Sequence, residues 1–362
     1  MEKRREGYLD EIKGISILLV VFCHYVLLPS DSVVGNILML VAWGAVPCFF
    51  MVSGGVLHNS AKFDWKRWGY RIIKTYIVLA VWKIIYFLYF WSVSPFSFIK
   101  SQFVRYLFFL GEMEHVSTGL LWFMYAYLMA LFFLPVSRFL LSNGKSGERV
   151  LIFVAILLFT GGICIPTANM LCEVLSRSVG KGICDITSVI QVIPIGGNWK
   201  NMLFYFVIGA FFFRYHIQIK AWIIGKKWRW TLFSGLMLAG ISGLLVIKFL
   251  QTGSIRWEGI YLKNGYDWIA TGFLSIGLYL FFMMKEKTGV VDFCLQYVGR
   301  NTMGIYYMHW IVCDLFRKLW EIRFEGHYSV FYNLFKTGIV TGVCMIFIEI
   351  AKRIPGIKEL VR

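Results

Sequence analysis

The sequence predicts an all-α, polytopic integral membrane protein, and three observations support this fold class. Hydrophobic residues make up 58% of the 362-residue chain and charged residues only 16%, whereas soluble domains are about a quarter charged. The apolar residues form long stretches, near the length of about 20 residues that a membrane-spanning helix requires. Most of the basic residues lie between these stretches and alternate in density. We therefore expect about ten transmembrane helices in a single domain over residues 1–362, without a separate soluble domain.

Ten stretches have the composition expected of a membrane span. The fifth and sixth are the shortest, so the composition fits a count of ten spans, or one more or one fewer. The first begins among charged residues and is not followed by a small-residue cleavage site, so we expect a retained helix rather than a signal peptide. The stretches are 14–30, 36–57, 72–92, 119–141, 150–166, 199–214, 230–250, 266–284, 301–320 and 330–351.

The distribution of basic residues predicts the orientation. A net charge of +17 is also typical of nucleic-acid-binding proteins, but here the charge follows the spans, which argues against a nucleic-acid partner. Cytoplasmic segments of membrane proteins carry an excess of Lys and Arg, so the denser segments predict a cytoplasmic N-terminus. An even number of spans returns the basic C-terminal tail to the same side. We expect a multi-pass protein of the cell (cytoplasmic) membrane, in contact with membrane lipid.

Two outer segments connect the spans. Segment 93–118 alternates aromatic and charged residues, a pattern typical of a helix that lies on the membrane surface. Segment 167–198 is the longest part outside the spans and is expected to hold a short interfacial helix. It contains Cys172 and Cys184, which either pair as a disulfide or remain reduced, because sequence alone cannot fix the pairing.

Ionisable residues inside spans are functional candidates because their burial in a bilayer is costly. His24 lies in the first span, eleven residues after Lys13. At about 100° and 1.5 Å per residue, the two side chains share one helix face, with Lys13 near the cytoplasmic edge and His24 deep in the membrane. Imidazole accepts protons near neutral pH. His24 is therefore either a base on a path entered from the cytoplasm or a hydrogen-bonded structural residue, and the two interpretations are equally supported.

A second histidine, His309, lies in the ninth predicted span, nine residues after Arg300. Nine residues turn a helix by about half a revolution, so the two side chains are expected to face opposite ways. A structural role for His309 is at least as well supported as a catalytic one.

A basic cluster precedes the third span. Arg71 and Lys74 are neighbours on a helix because they are three residues apart. The cluster is explained by topology alone, or by a phosphate-binding site, since Arg and Lys at a helix start can hold a multiply charged anion. Its members are Lys66, Arg67, Arg71 and Lys74.

Four sequence blocks, in this order, resemble the membrane-bound acyltransferase family 3, and within it the surface-polysaccharide O-acetyltransferase group that includes the enterobacterial common antigen O-acetyltransferase. Each pattern is loose, but the four together extend over nearly the whole chain. The blocks are YLDEIKGI at 8–15 with His24 following, VPCFFMVSG at 46–54, LWFMY at 121–125 and GRNTMGIYYMH at 299–309.

This resemblance implies transfer of an acyl group, usually acetyl from acetyl-CoA, to a hydroxyl of a cell-envelope glycan or lipid-linked glycan, with no metal. It implies that His24 is the essential histidine and general base and that Lys13 is its basic partner. Arg71 and Lys74, with Arg67 and Lys13, would bind the CoA phosphates. The further candidates in or beside the quoted motifs are Asp10, Ser53, Trp122, Tyr125, Arg300, Tyr306 and His309.

The chain departs from the family pattern in places. Lys13 and Lys74 stand where Arg is common, which keeps the charge but loses the bidentate geometry. Trp310 follows His309 where many members have Pro.

Several alternatives stay open. Transfer can be direct or can pass through an acyl-enzyme, and the chain can act as a monomer or an oligomer. The rival class is a polytopic transporter or flippase for an envelope polysaccharide or lipid-linked precursor. The inverted repeats and matching broken helices typical of that class are not found in the sequence. A membrane sensor or binding subunit of an amino-acid racemase system is a weaker third interpretation, because the soluble catalytic domain found in such fusions is not seen.

Overall fold

The computed structural model describes residues 6–59, 63–113, 115–116, 119–179, 199–254, 262, 264–285, 289–324 and 326–361. Within these residues the chain is helical and contains no β-strand. The α-helices in chain order are α1 Gly7–Phe22, α2 Val33–Ala42, α3 Ala45–His58, α4 Trp65–Val93, α5 Lys100–Leu107, α6 Trp122–Ser142, α7 Gly144–Phe159, α8 Ile165–Val179, α9 Lys200–Arg214, α10 His216–Ile223, α11 Arg229–Thr252, α12 Ile269–Met284, α13 Val290–Arg300, α14 Thr302–Phe324 and α15 Val330–Ala351.

Six helical segments of the described chain are long and apolar enough to cross a membrane, and a seventh is added if the bent pair α9–α10 counts as one span. All ten predicted stretches contain helix. Helices α1 and α12 have only 16 residues each, and α14 carries several charges in its second half, so these three fall outside that number. The protein is a multi-pass, all-α membrane protein, while the count of about ten and the cytoplasmic termini remain predictions.

The first predicted span, 14–30, is wrong in its boundaries. Helix α1 ends at Phe22, and the chain turns through Cys23–Tyr25, where Tyr25 adopts a φ of 45°. His24 therefore lies in a turn rather than on a helix face, and the predicted common stripe with Lys13 does not exist. The physical reason is that side chains of α15 bind the last carbonyl groups of α1, which a further helical turn would otherwise use.

Helices α1 and α13 pack with their backbones in direct contact. A Cβ atom on Gly299 would lie 1.9 Å from the carbonyl oxygen of Asp10, and one on Gly14 would lie 2.1 Å from the carbonyl oxygen of Leu295. Only glycine fits at these two positions. The close approach places Arg300, the last residue of α13, beside Asp10 of α1.

Gly299→Ala is expected to push α13 away from α1 and to destabilise the protein by about 1–3 kcal/mol, because the added methyl group overpacks a backbone contact. Thermal unfolding of the purified protein measures the effect as a lower Tm. Gly338→Ala in α15 is the matched control, because nothing lies within 4 Å of a Cβ atom added there. Equal Tm values for the two variants would contradict the packing of α13 on α1.

The start of α13 is fixed by a polar cap outside the helices that cross the membrane. Asp292 accepts a hydrogen bond from the backbone N–H of Gly289 at 2.8 Å and forms an ion pair with Lys285. The Lys285 ammonium holds the pKa of the Asp292 carboxyl below its usual range, chiefly by hydrogen bonding to the charged form. Asp292 therefore stays ionised and anchors the helix that carries Arg300.

The two segments that are predicted to lie on the outer side are only partly described. Segment 93–118 contains the short helix α5, in agreement with the predicted helix there. Much of segment 167–198, from residue 180 onward, lies outside the described residues. This part includes Cys184, so the pairing of Cys172 with Cys184 lies outside them too.

Candidate active site

A cavity of about 600 Å³ lies between helices α1, α2, α3, α4, α6, α11, α13 and α14, and we call it the central cavity. Its volume is in the range typical of pockets for small ligands. It brings together residues from all four sequence blocks. The predicted candidates that line it are Lys13, His24, Ser53, Arg71, Lys74, Trp122, Arg300, Tyr306 and His309.

One end of the central cavity is basic. Lys13, Arg71, Lys74 and Arg300 contribute to its wall. Lys74 forms an ion pair with Glu359, which follows the last long helix. Three of these four cations were predicted to share a site, and the structure brings Arg300 to them as well.

Asp10 does not line the central cavity, but it organises two of the cations. Its carboxylate is 2% exposed and lies 2.7 Å from the Lys13 ammonium and 3.6 Å from Nε of Arg300. A buried carboxylate is stable only when it is paired. Asp10 therefore holds Lys13 and Arg300 together from behind the cavity wall. It was predicted as a site residue, and the structure connects it to the cavity only through these two cations.

Two further candidates lie away from the central cavity. The Arg67 side chain is 88% exposed and pairs with Asp64 at 3.2 Å, so the structure does not bring it to Arg71 and Lys74. Tyr125 forms one side of an aromatic cage around the buried Lys83 ammonium, which also lies 4.2 Å from the centroid of the Phe109 ring. The ring of Tyr125 therefore has a structural role, in which it stabilises the buried Lys83 ammonium through a cation–π contact.

The other end of the cavity lies at the opposite side of the helix bundle from Arg71. Trp68, near the start of α4, donates a hydrogen bond to the carbonyl of Leu131, near the middle of α6. Lys83, farther along α4, lies over the ring of Tyr125, near the start of α6. Helices α4 and α6 are therefore antiparallel, and Trp122 at the start of α6 lies far from the basic residues at the start of α4.

This second end is lined with aromatic rings. Trp122 stacks on Trp199 with centroids 5.6 Å apart and planes at 10°, and its centroid lies 5.3 Å from that of Tyr266. Tyr266 in turn meets Trp43 edge to face. The ammonium of Lys248, also in the cavity wall, donates a hydrogen bond to Asn36 at 3.1 Å. Sequence interpretation found only Trp122 of this group.

Two histidines meet in the wall of the cavity. The ring centroids of His24 and His309 lie 5.1 Å apart, with planes tilted by 41°. The expectation that Arg300 and His309 face opposite ways is wrong, because both line the central cavity. The chain does not form one helix from 300 to 309. Asn301 donates its side-chain N–H to the carbonyl of Tyr297 and ends α13, so the rotation of an unbroken helix does not apply.

The turn that carries His24 is held by a buried lysine. Lys336 of α15 is fully buried, and its ammonium lies within hydrogen-bonding distance of the carbonyl oxygens of Val21 (3.0 Å), Phe22 (3.1 Å), His24 (2.6 Å) and Tyr25 (3.3 Å). Its three N–H groups are shared among these four acceptors. A cation at a helix C-terminus is favourable because the carbonyl dipoles point at it. Lys336 therefore fixes the backbone of His24.

Asn333, one turn before Lys336, binds the same turn. Its side chain donates to the carbonyl of Phe22 at 3.1 Å and accepts from the backbone N–H of Leu27 at 3.0 Å. Sequence interpretation missed both residues of α15. The signal was available for Lys336, because a lysine inside an apolar stretch is a functional candidate by default.

The described residues contain no group of three or more His, Cys, Asp and Glu side chains that could hold a metal ion. The wall of the central cavity presents imidazoles, cations and aromatic rings.

The chain matches a known protein family. Residues 6–349 match the model of a family described as an acyltransferase domain. This range includes every residue that was placed in the wall of the central cavity above. Neither a curated protein nor a solved structure matches the chain.

Proposed function

We propose that this chain, which belongs to the acyltransferase 3 family of membrane proteins, transfers an acetyl group from cytoplasmic acetyl-CoA to a hydroxyl of a cell-envelope glycan or lipid-linked glycan. The observation that carries the proposal is the central cavity. It joins a basic end to the histidine pair and to an aromatic end on the opposite side of the bundle. The family assignment supports an acyltransferase in general; acetyl, the acceptor and the cell membrane are part of the proposal.

The basic end suits the donor. Coenzyme A carries several phosphate groups, and Arg and Lys side chains bind phosphate through charge-assisted hydrogen bonds. Arg71 and Lys74 lie at this end, with Lys13 and Arg300 nearby. The wall between them and His24 includes Ile17 and Val20, an apolar surface for the pantetheine arm. In this arrangement the phosphates stay at the cytoplasmic end while the thioester reaches His24.

His24 is the proposed general base. The acceptor hydroxyl gives its proton to the imidazole while its oxygen attacks the thioester carbon. When the tetrahedral intermediate collapses, the carbon–sulfur bond breaks, and the thiolate of CoA takes the proton from the imidazolium. General-base catalysis by a positioned histidine contributes about 10²–10⁴-fold in rate. Direct transfer therefore needs one base and no covalent enzyme intermediate.

The aromatic end suits the acceptor. The faces of Trp122, Tyr266 and Trp43 offer flat apolar surfaces of the kind on which the C–H face of a sugar ring packs, and Lys248 and Asn36 add polar groups beside them. An acceptor that enters at this end meets the histidine pair from the side opposite to the donor.

A transfer assay tests this function. Purified protein is incubated with acetyl-labelled acetyl-CoA and an extract of envelope glycans or lipid-linked glycans, and label is measured in the glycan. Label that disappears after mild alkaline hydrolysis identifies an O-acetyl ester and supports the proposal. Movement of glycan across vesicles without label would instead identify the transporter or flippase.

Arg71→Ala is expected to raise the apparent KM for acetyl-CoA about tenfold or more with a small effect on kcat, because a charge-assisted hydrogen bond contributes about 1.5–3 kcal/mol to binding. Steady-state kinetics of the labelled transfer measures it. Arg67→Ala is the matched control from the same helix, because Arg67 is exposed and lies outside the cavity. If both variants keep the wild-type KM, the cluster serves topology alone.

A further inference from the structure

His309 is held in one tautomer. Its side chain is 1% exposed, and Nδ1 lies 2.6 Å from the carbonyl oxygen of Tyr306 and 3.2 Å from that of Ile305. Carbonyl oxygens only accept hydrogen bonds, so Nδ1 must carry the proton. In the neutral ring the other nitrogen, Nε2, then holds a lone pair and acts as an acceptor.

The Nε2 atom of His309 is buried and has no hydrogen-bond partner among the residues that the structure describes. Leaving such an atom unpaired costs about 1–3 kcal/mol. A buried acceptor without a partner calls for an explanation, and in the wall of a cavity a donor that reaches it during function supplies one.

The ring of His24 supplies a donor beside the ring of His309. An N–H···N hydrogen bond of about 2.9 Å between two imidazole rings in one plane places their centroids about 5 Å apart. The centroids of His24 and His309 are 5.1 Å apart, and the planes are tilted by 41°. This spacing fits such a bond once the His24 ring turns toward Nε2, while Lys336 holds the backbone of His24.

We infer that His309 is a positioning residue for His24: its Nε2 atom accepts a hydrogen bond from one ring N–H of His24 and leaves the other His24 nitrogen unprotonated toward the acceptor hydroxyl. This inference rests on the proposed function. During transfer the hydroxyl proton goes to the free nitrogen of His24, the imidazolium keeps its N–H bond to His309, and the thiolate removes the transferred proton. His309 stays neutral throughout, and the carbonyls of Ile305 and Tyr306 keep its ring oriented. A carboxylate fills the same orienting role beside the base in hydrolase triads.

Two substitutions of His309 separate orientation from packing. His309→Phe keeps an aromatic ring but removes the acceptor, and kcat is expected to fall at least about a hundredfold while the KM for acetyl-CoA stays within about twofold. His309→Gln keeps an acceptor oxygen near the position of Nε2, and its kcat is expected to recover to within about tenfold of the wild type.

The control is His58, a buried histidine outside the central cavity that contacts the Gly54 carbonyl and the Ser137 hydroxyl. His58→Gln is expected to keep the wild-type kcat. His309→Phe with full activity would overturn the inference, and so would equal losses in His309→Phe and His309→Gln. If His309→Phe does not fold, His309→Asn replaces it, because its amide is too short to reach His24, and the same kcat loss is expected. His24→Ala separates a failure of this inference from a failure of the proposed function. If His24→Ala is inactive while His309→Phe is active, the inference fails and the proposed function stands.

Discussion

Replacing His24 with alanine is expected to lower the rate of acyl transfer by about 10²–10⁴-fold, the contribution of a positioned general base. The loss should appear in kcat, because the substitution leaves intact the proposed site for the donor phosphates around Arg71 and Lys74, at the basic end of the cavity. The measurement is label transfer from acetyl-CoA to glycan under saturating donor. Binding of acetyl-CoA by the variant, measured by displacement of a labelled analogue, should match the wild type.

His216, a histidine outside the central cavity, provides the control for this experiment. His216 lies at the start of α10, stacks on Phe213 and lies outside the central cavity. His216→Ala is expected to keep wild-type kcat, so a loss confined to His24→Ala identifies the base rather than a general sensitivity to histidine removal. Full transfer activity in His24→Ala would remove His24 from the chemistry.

The helices of this protein were predictable because each depends on the composition of its own stretch of sequence. A stretch of about 20 apolar residues has no stable alternative in a bilayer, where each backbone N–H and C=O must be paired within its own segment. All ten predicted stretches accordingly contain helix. His24 and His309 were predictable for a related reason, because an ionisable side chain inside an apolar stretch requires a function or a partner. Lys248 of α11, also in the cavity wall, was missed although the same argument applies to it.

The turn at His24 was not predictable from local sequence. The residues before it, around Val21, are apolar and compatible with a continuing helix. The helix ends because Lys336 and Asn333, more than 300 residues later in the chain, bind its last carbonyls. Periodicity arguments assume an unbroken helix, so they placed His24 on the same face as Lys13. The correct reason why the two residues share a cavity is tertiary.

The prediction that Arg300 and His309 face opposite ways was wrong for a similar reason. The predicted half revolution assumes a single helix from one residue to the other. Asn301 interrupts it with a side-chain cap on α13, a signal that was present in the sequence, because Asn competes with helical hydrogen bonds. Gly299 and Gly14 then bring α13 against α1, a contact that no local pattern specifies.

Lys336→Met is expected to destabilise the protein more than Gly299→Ala does, because it removes several buried hydrogen bonds at once. Methionine has a similar length but cannot donate, so the carbonyls of Val21, Phe22, His24 and Tyr25 would lose their shared donor. Each buried acceptor left unpaired costs about 1–3 kcal/mol. A markedly lower Tm is expected in thermal unfolding of the detergent-solubilised protein, together with loss of transfer activity, because the turn that carries His24 is no longer fixed.

Lys318→Met is the matched control. Lys318 is partly exposed and pairs with Asp314 at 3.1 Å, and exposed ion pairs contribute about 0–1 kcal/mol. Its Tm should stay close to the wild type. If Lys336→Met also kept the wild-type Tm, the α1 carbonyls would have to find other donors, and the ammonium would not be what ends the helix. A normal Tm with a lower kcat would instead show that Lys336 orients His24 without contributing to stability. Such a role fits the contacts of the ammonium, because the carbonyl oxygen of His24 lies closer to it than any of the other three.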